Sequence, residues 1–225
     1  MPTLDWLKKE FNYGYSSGNI LSWFRGRRVR YEETRSGSSY KNVFLNGVLP
    51  YFKKDSKVLE LGPGAGSWSK PILKYLTEGE LTTLDFQNVE PWLKPNKYNG
   101  RLKCYKIEDN DYSFLPDNYF DLFFSFGVLC HNNSTSIKEI LINILPKMKT
   151  GGFAVHMYGN WDKLEIFGWE RGTVPLEFKN KPDDEIWWPR NNSENMKSIA
   201  EDAGWKVLNS DLNLMERDSI ILLQK

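Results

Sequence analysis

Between residues 57 and 158, short apolar runs alternate with stretches whose apolar positions recur at helical spacing. Residues 57–61, 80–86, 102–107, 120–126 and 153–158 read as strands. The fourth of these is apolar at nearly every position, the pattern of a central strand covered on both faces. Residues 69–76 and 137–148 read as helices, the second closed by lysines and Gly151-Gly152. This repeated alternation predicts a mostly parallel sheet wrapped by helices on both sides. Upstream, residues 1–55 read as helices and loops, with helical spacing at 19–24 and 40–52. Downstream, residues 159–192 lose any period and are rich in Trp, Pro and Gly. Residues 193–203 then read as a helix, and 205–208 and 219–224 as an antiparallel pair of strands closing the sheet.

No repeat, low-complexity tract or linker divides the 225 residues, so a single domain is expected. Thirty basic against twenty-nine acidic side chains give a net charge of +1, with no global field to draw the chain onto a polyanion. A nucleic-acid partner is therefore not expected. The longest apolar stretches fall short of a membrane span, and residues 1–5 lack the layout of a signal peptide, so the expectation is a cytoplasmic protein with no membrane partner. Cys104 and Cys130 show no metal-ligand spacing, and no metal site or disulfide framework is expected. Nine Trp, eleven Tyr and thirteen Phe exceed what such a core needs, which points to aromatic side chains lining a site.

The chemistry concentrates at Val58-Leu59-Glu60-Leu61-Gly62-Pro63-Gly64-Ala65-Gly66, where three close glycines join a buried strand to a helix. Glycines let the backbone turn sharply and let a ligand press against it, while the helix start offers N–H groups. Alone, the turn is also compatible with a structural role. Asp85 follows Gly62 by 23 positions, close to the offset of about 20 at which an acidic side chain accepts from ribose hydroxyls.

With these residues the chain resembles the class I S-adenosylmethionine-dependent methyltransferases, whose first strand carries an acid two places before a G-x-G-x-G turn, as Glu60 precedes Gly62. Phe114-Leu115-Pro116-Asp117-Asn118-Tyr119-Phe120-Asp121, followed by Ser125-Phe126-Gly127-Val128-Leu129-Cys130-His131, resembles that family's fourth-strand segment. Residues 145–152 resemble its turn into the fifth strand. One departure is Cys130, where the family often has Glu. The resemblance covers residues 57–158 and implies a Rossmann-like α/β fold. That fold has a mostly parallel seven-stranded sheet, helices on both faces and an antiparallel C-terminal strand. A helical cap (1–55), a cofactor-binding core (56–158), an aromatic-rich acceptor lid (159–192) and a closing helix and hairpin (193–225) would make up the domain.

The resemblance further implies S-adenosyl-L-methionine as cofactor. Gly62, Pro63, Gly64 and Gly66 would pack under its methionine and ribose, with Glu60 steadying the site. Asp85 would bind the ribose diol beside Phe86, Asp109 and Asn110 the adenine edge, and Ser125 and Phe126 the methionine end.

A sulfonium methyl is already electrophilic, so the protein's task is alignment and, for a hydroxyl acceptor, a general base. His131 and His156 are the candidates, since both should lie near the crevice at the strand ends. Each also has a structural reading: His131 as a helix cap or loop-orienting residue, His156 as a satisfied core histidine. Tyr13, Arg30, Tyr158, Trp161 and Trp188 are candidate acceptor contacts, with the alternative that the aromatic rings of 159–192 form a satellite core or a dimer interface. The basic run of residues 25–30 suits a phosphate or a solvated face. The expected reaction is methyl transfer to a hydroxyl of a small polar acceptor, a sugar, glycan precursor or nucleotide-linked sugar. The alternatives are N-methylation of a small amine and a non-catalytic cofactor-binding module.

Overall fold

The computed structural model describes residues 18–22 and 26–225. Its seven strands form one sheet in the order β3-β2-β1-β4-β5-β7-β6. They are β1 (Lys57–Leu61), β2 (Glu80–Asp85), β3 (Leu102–Lys106), β4 (Phe120–Ser125), β5 (Met148–Gly159), β6 (Lys206–Asn209) and β7 (Asp218–Gln224). Strands β1 to β5 pair in parallel, and β7 lies antiparallel between β5 and β6. The sheet is mostly parallel, as the alternation of strands and helices predicts, and the fold is Rossmann-like, as the resemblance implies.

The strand order reverses between β1 and β4, because β2 and β3 extend the sheet one way and β4 and β5 the other. At such a switch point the loops leaving the carboxyl ends of the strands diverge and open a crevice. Both faces are covered. Successive β4 side chains enter opposite cores: Leu122 and Phe124 join Trp68, Ile72 and Val155, whereas Phe123 joins Ile137, Leu141 and Ile199. Alternation along a strand fixes this division, since neighbouring side chains point to opposite faces.

The helices are α1 (Arg27–Ser36), α2 (Tyr40–Val43), α3 (Ser69–Tyr75), α4 (Glu90–Leu93), α5 (Ser134–Ile144), α6 (Trp161–Phe167) and α7 (Ser193–Asp202). Asparagine side chains cap three of them: Asn133 accepts from Ser136 N, Asn160 from Asp162 N and Lys163 N, and Asn192 from Asn195 N. Such asparagines satisfy N–H groups that a helix start leaves without intrahelical partners. Among the described residues no helix is long and apolar enough to cross a membrane.

Two elements depart from the sequence expectation. Residues 19–22 make a turn, and the rest of the expected 19–24 helix lies outside the described residues. The first described helix is α1, built on the basic run. It buries Val29, Glu32, Glu33 and Ser36, a mostly polar face that a search for apolar spacing passes over. The second is α6, inside the segment that shows no period.

Candidate active site

Strand β1 delivers Gly62, Gly64 and Gly66 in left-handed backbone, with φ of 70°, 52° and 84°. At Gly62 a side chain is also barred by packing, since a Cβ there would stand 2.3 Å from Val128 Cγ2. Strand β2 ends one strand over at Asp85. Its Oδ2 accepts from Gly64 N at 3.2 Å and its Oδ1 from Gln87 N at 2.9 Å, so the carboxylate ties the glycine turn to the next loop. Burial raises the Asp85 pKa, an effect opposed by the backbone donors of Gln87, Gly64 and Phe86. Beneath the turn Glu60 is buried with Oε2 unpartnered. Burial pushes its carboxyl up to about 8, and the nearby Asp85 charge acts in the same direction.

Above these strand ends lies a cavity of about 570 Å³. Gly62, Pro63, Gly64, Asp85, Phe86 and Asn110 line it from the last residue of β2 and the segments after β1, β2 and β3, and His131, Trp187, Trp188, Arg35 and Arg217 from the turn after β4, residues 187–188, the end of α1 and the residue before β7, with Trp68, Tyr40 and Phe126 also in the wall. The middle wall is a packed aromatic group: Trp68 lies 4.2 Å from Phe126 and 5.7 Å from Tyr40 between ring centroids.

His131 sits on the short turn Leu129–His131 after β4. Its Nδ1 is 2.8 Å from the carbonyl oxygen of Trp187, and its ring meets Trp188 edge-on with centroids 5.2 Å apart. A carbonyl can only accept, so Nδ1 carries the hydrogen and Nε2 the lone pair. Enclosure lowers the His131 pKa to about 4, with the positive charges of Arg217 and Arg35 adding to the effect, so the imidazole is neutral at pH 7.

The cavity gathers half of the residues singled out in the sequence. Glu60, Gly66 and Ser125 stand below or beside it rather than in its wall. Asp109 is exposed and accepts from Asp111 N in a turn, while its neighbour Asn110 faces the cavity. His156 is fully buried in the sheet, bonded to Ser125 Oγ at 2.8 Å and packed edge-on against Phe123. Burial holds its pKa near 3, and it does not line the cavity, which places it among the core histidines rather than at the chemistry. Tyr158 is likewise buried and donates to Ser210 O at 2.7 Å, and Trp161 packs on Trp169 and donates to Trp188 O. Arg30 points to the exposed side of α1, and Tyr13 lies outside the described residues.

Arg28 of the basic run lines the cavity together with Glu32 and Arg35 from the same face of α1, two residues that the sequence reading missed. Their spacing of four and three was the available signal. It also missed Trp68, Tyr40 and Arg217. Arg217 and Asp218 are a buried ion pair, with Nη2 2.7 Å from Oδ2.

Residues 27–210 match the family model described as a methyltransferase domain. The chain belongs to that methyltransferase family. It is an enzyme, and S-adenosylmethionine is its cofactor. Among relatives, a ribosomal RNA large subunit methyltransferase E of Picrophilus torridus is 24% identical over 56% of this chain and 70% of its own length. A highly reducing polyketide synthase of Penicillium polonicum is 20% identical over 85% of this chain, which spans only 8% of that protein. In fold, a SAM-dependent methyltransferase from Aquifex aeolicus superposes with a TM-score of 0.58 at 19% identity, covering 87% of this chain and 96% of that one.

These relatives correct the expectation of a small sugar-like acceptor and no nucleic acid, since several ribosomal RNA methyltransferases stand among them. The net charge of +1 misled because it averages over the surface. Locally, Arg28, Arg35 and Arg217 all face the methyltransferase's cavity.

Proposed function

We propose that the protein transfers a methyl group from S-adenosylmethionine to a hydroxyl oxygen, with His131 as the general base. The observation that carries this is the Trp187 carbonyl on His131 Nδ1, which leaves the lone pair on Nε2 in a cavity-lining imidazole that is neutral at pH 7. When bound, the cofactor supplies an electrophilic methyl group. Asp85 accepts from the ribose hydroxyls, the Gly62–Gly64 turn gives the donor room against the backbone, and Phe86 and Asn110 flank the adenine. The geometry suits this donor: the turn lacks side chains where contact is closest, and an acid ends the neighbouring strand.

A hydroxyl is protonated at neutral pH, so an aligned base contributes roughly 10²–10⁴-fold to transfer. A base with a pKa near 4 takes the proton as the oxygen–carbon bond forms, not beforehand. Residues 56–158 serve as the donor-binding core, the described residues 26–55 as a cap through Arg28, Glu32, Arg35 and Tyr40, 193–225 as the closing unit, and 159–192 as the acceptor-side cover through Trp187 and Trp188. The kinship with ribosomal RNA methyltransferases makes RNA the first acceptor to assay, with hydroxylated small molecules second.

The test is methyl incorporation from labelled S-adenosylmethionine into both acceptor classes by the intact protein and by His131→Ala. Loss of transfer with retained S-adenosylhomocysteine binding supports the reading. Undiminished transfer overturns His131 as base and favours a nitrogen acceptor, which needs less proton removal.

A further inference from the structure

Arg217 is an unusual component of a cavity wall. Its side chain is 5% exposed and that of Asp218 is fully buried. A buried ion pair gains little stability, because desolvation offsets the attraction. This one is also incompletely satisfied, since Asp218 Oδ1 has no partner. The guanidinium sends Nε and Nη2 to Asp218 Oδ2 at 2.9 and 2.7 Å and Nη1 to Gly172 O at 2.8 Å, and its Cζ lies 4.7 Å from the ring centroid of Trp188. Those bonds use three of the five N–H donors of a guanidinium. One donor remains on each terminal nitrogen, in a side chain that borders the cavity.

A second guanidinium is brought alongside by the backbone. Arg217 N donates to Ser36 O at 3.2 Å and Glu216 N to Gly37 O at 3.3 Å, so the start of β7 is bonded to the end of α1. Arg35, the residue before Ser36, reaches Thr173 Oγ1 at 3.4 Å while Arg217 holds the adjacent Gly172, and Arg35 also lines the cavity. Like charges set side by side repel, and each acts on the other's neighbourhood: Arg35 opposes the charge on Arg217. Asp218 and Glu32 each balance one of the two. An anion between them would meet the two donors left on Arg217 and the second positive charge of Arg35.

The position belongs to the acceptor, not the donor. Across the sheet, β7 stands three strands from β1, by way of β4 and β5, which is about 14 Å at ordinary strand spacing. Asp85 lies one strand further away on β2. His131 meets Trp188 edge-on with centroids 5.2 Å apart, and Arg217 Cζ lies 4.7 Å from the centroid of the same Trp188 ring.

We infer that Arg35 and Arg217 form a paired guanidinium seat for an anionic group, phosphate or carboxylate, carried by the methyl acceptor. This rests on the reading that the part of the cavity around His131 takes the acceptor. It does not depend on His131 acting as base. An acceptor seated this way is held by its anion while its hydroxyl faces the imidazole.

The test is binding, so that it fails separately from the transfer reaction. Intact protein saturated with S-adenosylhomocysteine is titrated calorimetrically with phenyl phosphate, benzoate and benzyl alcohol, and the same is done with Arg35→Gln. Arg217→Lys, which keeps the charge beside Asp218 but loses the fork, serves as the second variant, with its melting temperature measured alongside. The expected result is binding of one or both anions at least tenfold tighter than the alcohol, with about a tenfold loss in each variant. The stronger of the two anions then identifies phosphate or carboxylate. Equal binding of all three probes, or anion binding indifferent to both variants, overturns the inference. So does a loss of S-adenosylhomocysteine affinity in Arg35→Gln without a matching loss for methylthioadenosine, because the seat would then belong to the donor's own carboxylate.

Discussion

The carbonyl oxygen of Trp187 lies 2.8 Å from Nδ1 of His131, joining the turn after β4 to a segment 56 residues later. The contact sets the tautomer of the imidazole, and it does so from a part of the chain that has no regular secondary structure of its own. Removing His131 is therefore expected to cost transfer and spare the donor. His131→Ala should lower turnover by about 10²–10⁴-fold while S-adenosylhomocysteine binds as before, read by single-turnover assay and calorimetry.

The same residue sets the pH response. Because enclosure lowers the His131 pKa to about 4, the neutral form needed for proton removal persists until pH falls through that value. Activity should be flat on this account from neutral pH down to about 5 and decline below. For stability, an unfolded His takes up its proton near pH 6.5, whereas the folded one does so only near 4. The unfolded state thus binds more protons within that window, and stability falls as pH drops through it. His156, held near 3, contributes in the same direction. His156→Gln should flatten the fall in melting temperature between pH 6.5 and 4, and an unchanged slope would count against its neutral burial.

Much of the cavity wall around the β1 and β2 ends was legible in the chain because its residues are close in sequence or tied to strand ends. Glu60, Gly62, Gly64 and Asp85 occupy positions set by a parallel sheet, and hydrophobic periodicity locates that sheet. The wall around His131 was not, and the reason is physical. Arg35, His131, Trp187 and Arg217 come from four separated segments, and what unites them is backbone bonding between α1 and β7 and between residues 131 and 187. No local pattern encodes such contacts. The aromatic residues of 159–192 misled in a related way. Their composition suggested a lining, but Trp161 and Trp169 pack on each other, Tyr158 just before the segment is buried in the opposite core, and only Trp187 and Trp188 of that segment reach the cavity.

Asp85 is the donor-side counterpart of His131. Its two oxygens already hold the N–H groups of Gly64 and Gln87, so its removal both withdraws an acceptor and loosens the turn. Asp85→Ala should weaken S-adenosylhomocysteine binding by roughly 10- to 100-fold in calorimetry, the range for losing hydrogen bonds to a charged group. Binding within a factor of two of the intact protein would remove Asp85 from the donor site.

Gly62 offers a steric test of the same turn. An alanine there would have to hold φ near 70° and place its Cβ 2.3 Å from Val128 Cγ2. The backbone penalty alone is about 1 kcal/mol, and the contact adds to it. Gly62→Ala should lower the melting temperature, and pairing it with Val128→Ala should recover the steric part but not the backbone part. Full recovery would mean the left-handed conformation costs nothing here.

Glu60 gives the opposite pH signature to the histidines. Its folded pKa is raised to about 8 from an ordinary 4.5, because burial disfavours the charged form. Between those values the folded state binds more protons than the unfolded one, so stability is highest below pH 4.5 on this account and is lost as pH rises through 8. Glu60→Gln fixes the neutral form. It should leave the melting temperature near pH 5 close to that of the intact protein, while lifting it at pH 9, where the native carboxylate must be ionised in a buried place beside Asp85. A melting temperature lowered equally at both pH values would instead mean that the carboxylate is bonded and charged throughout.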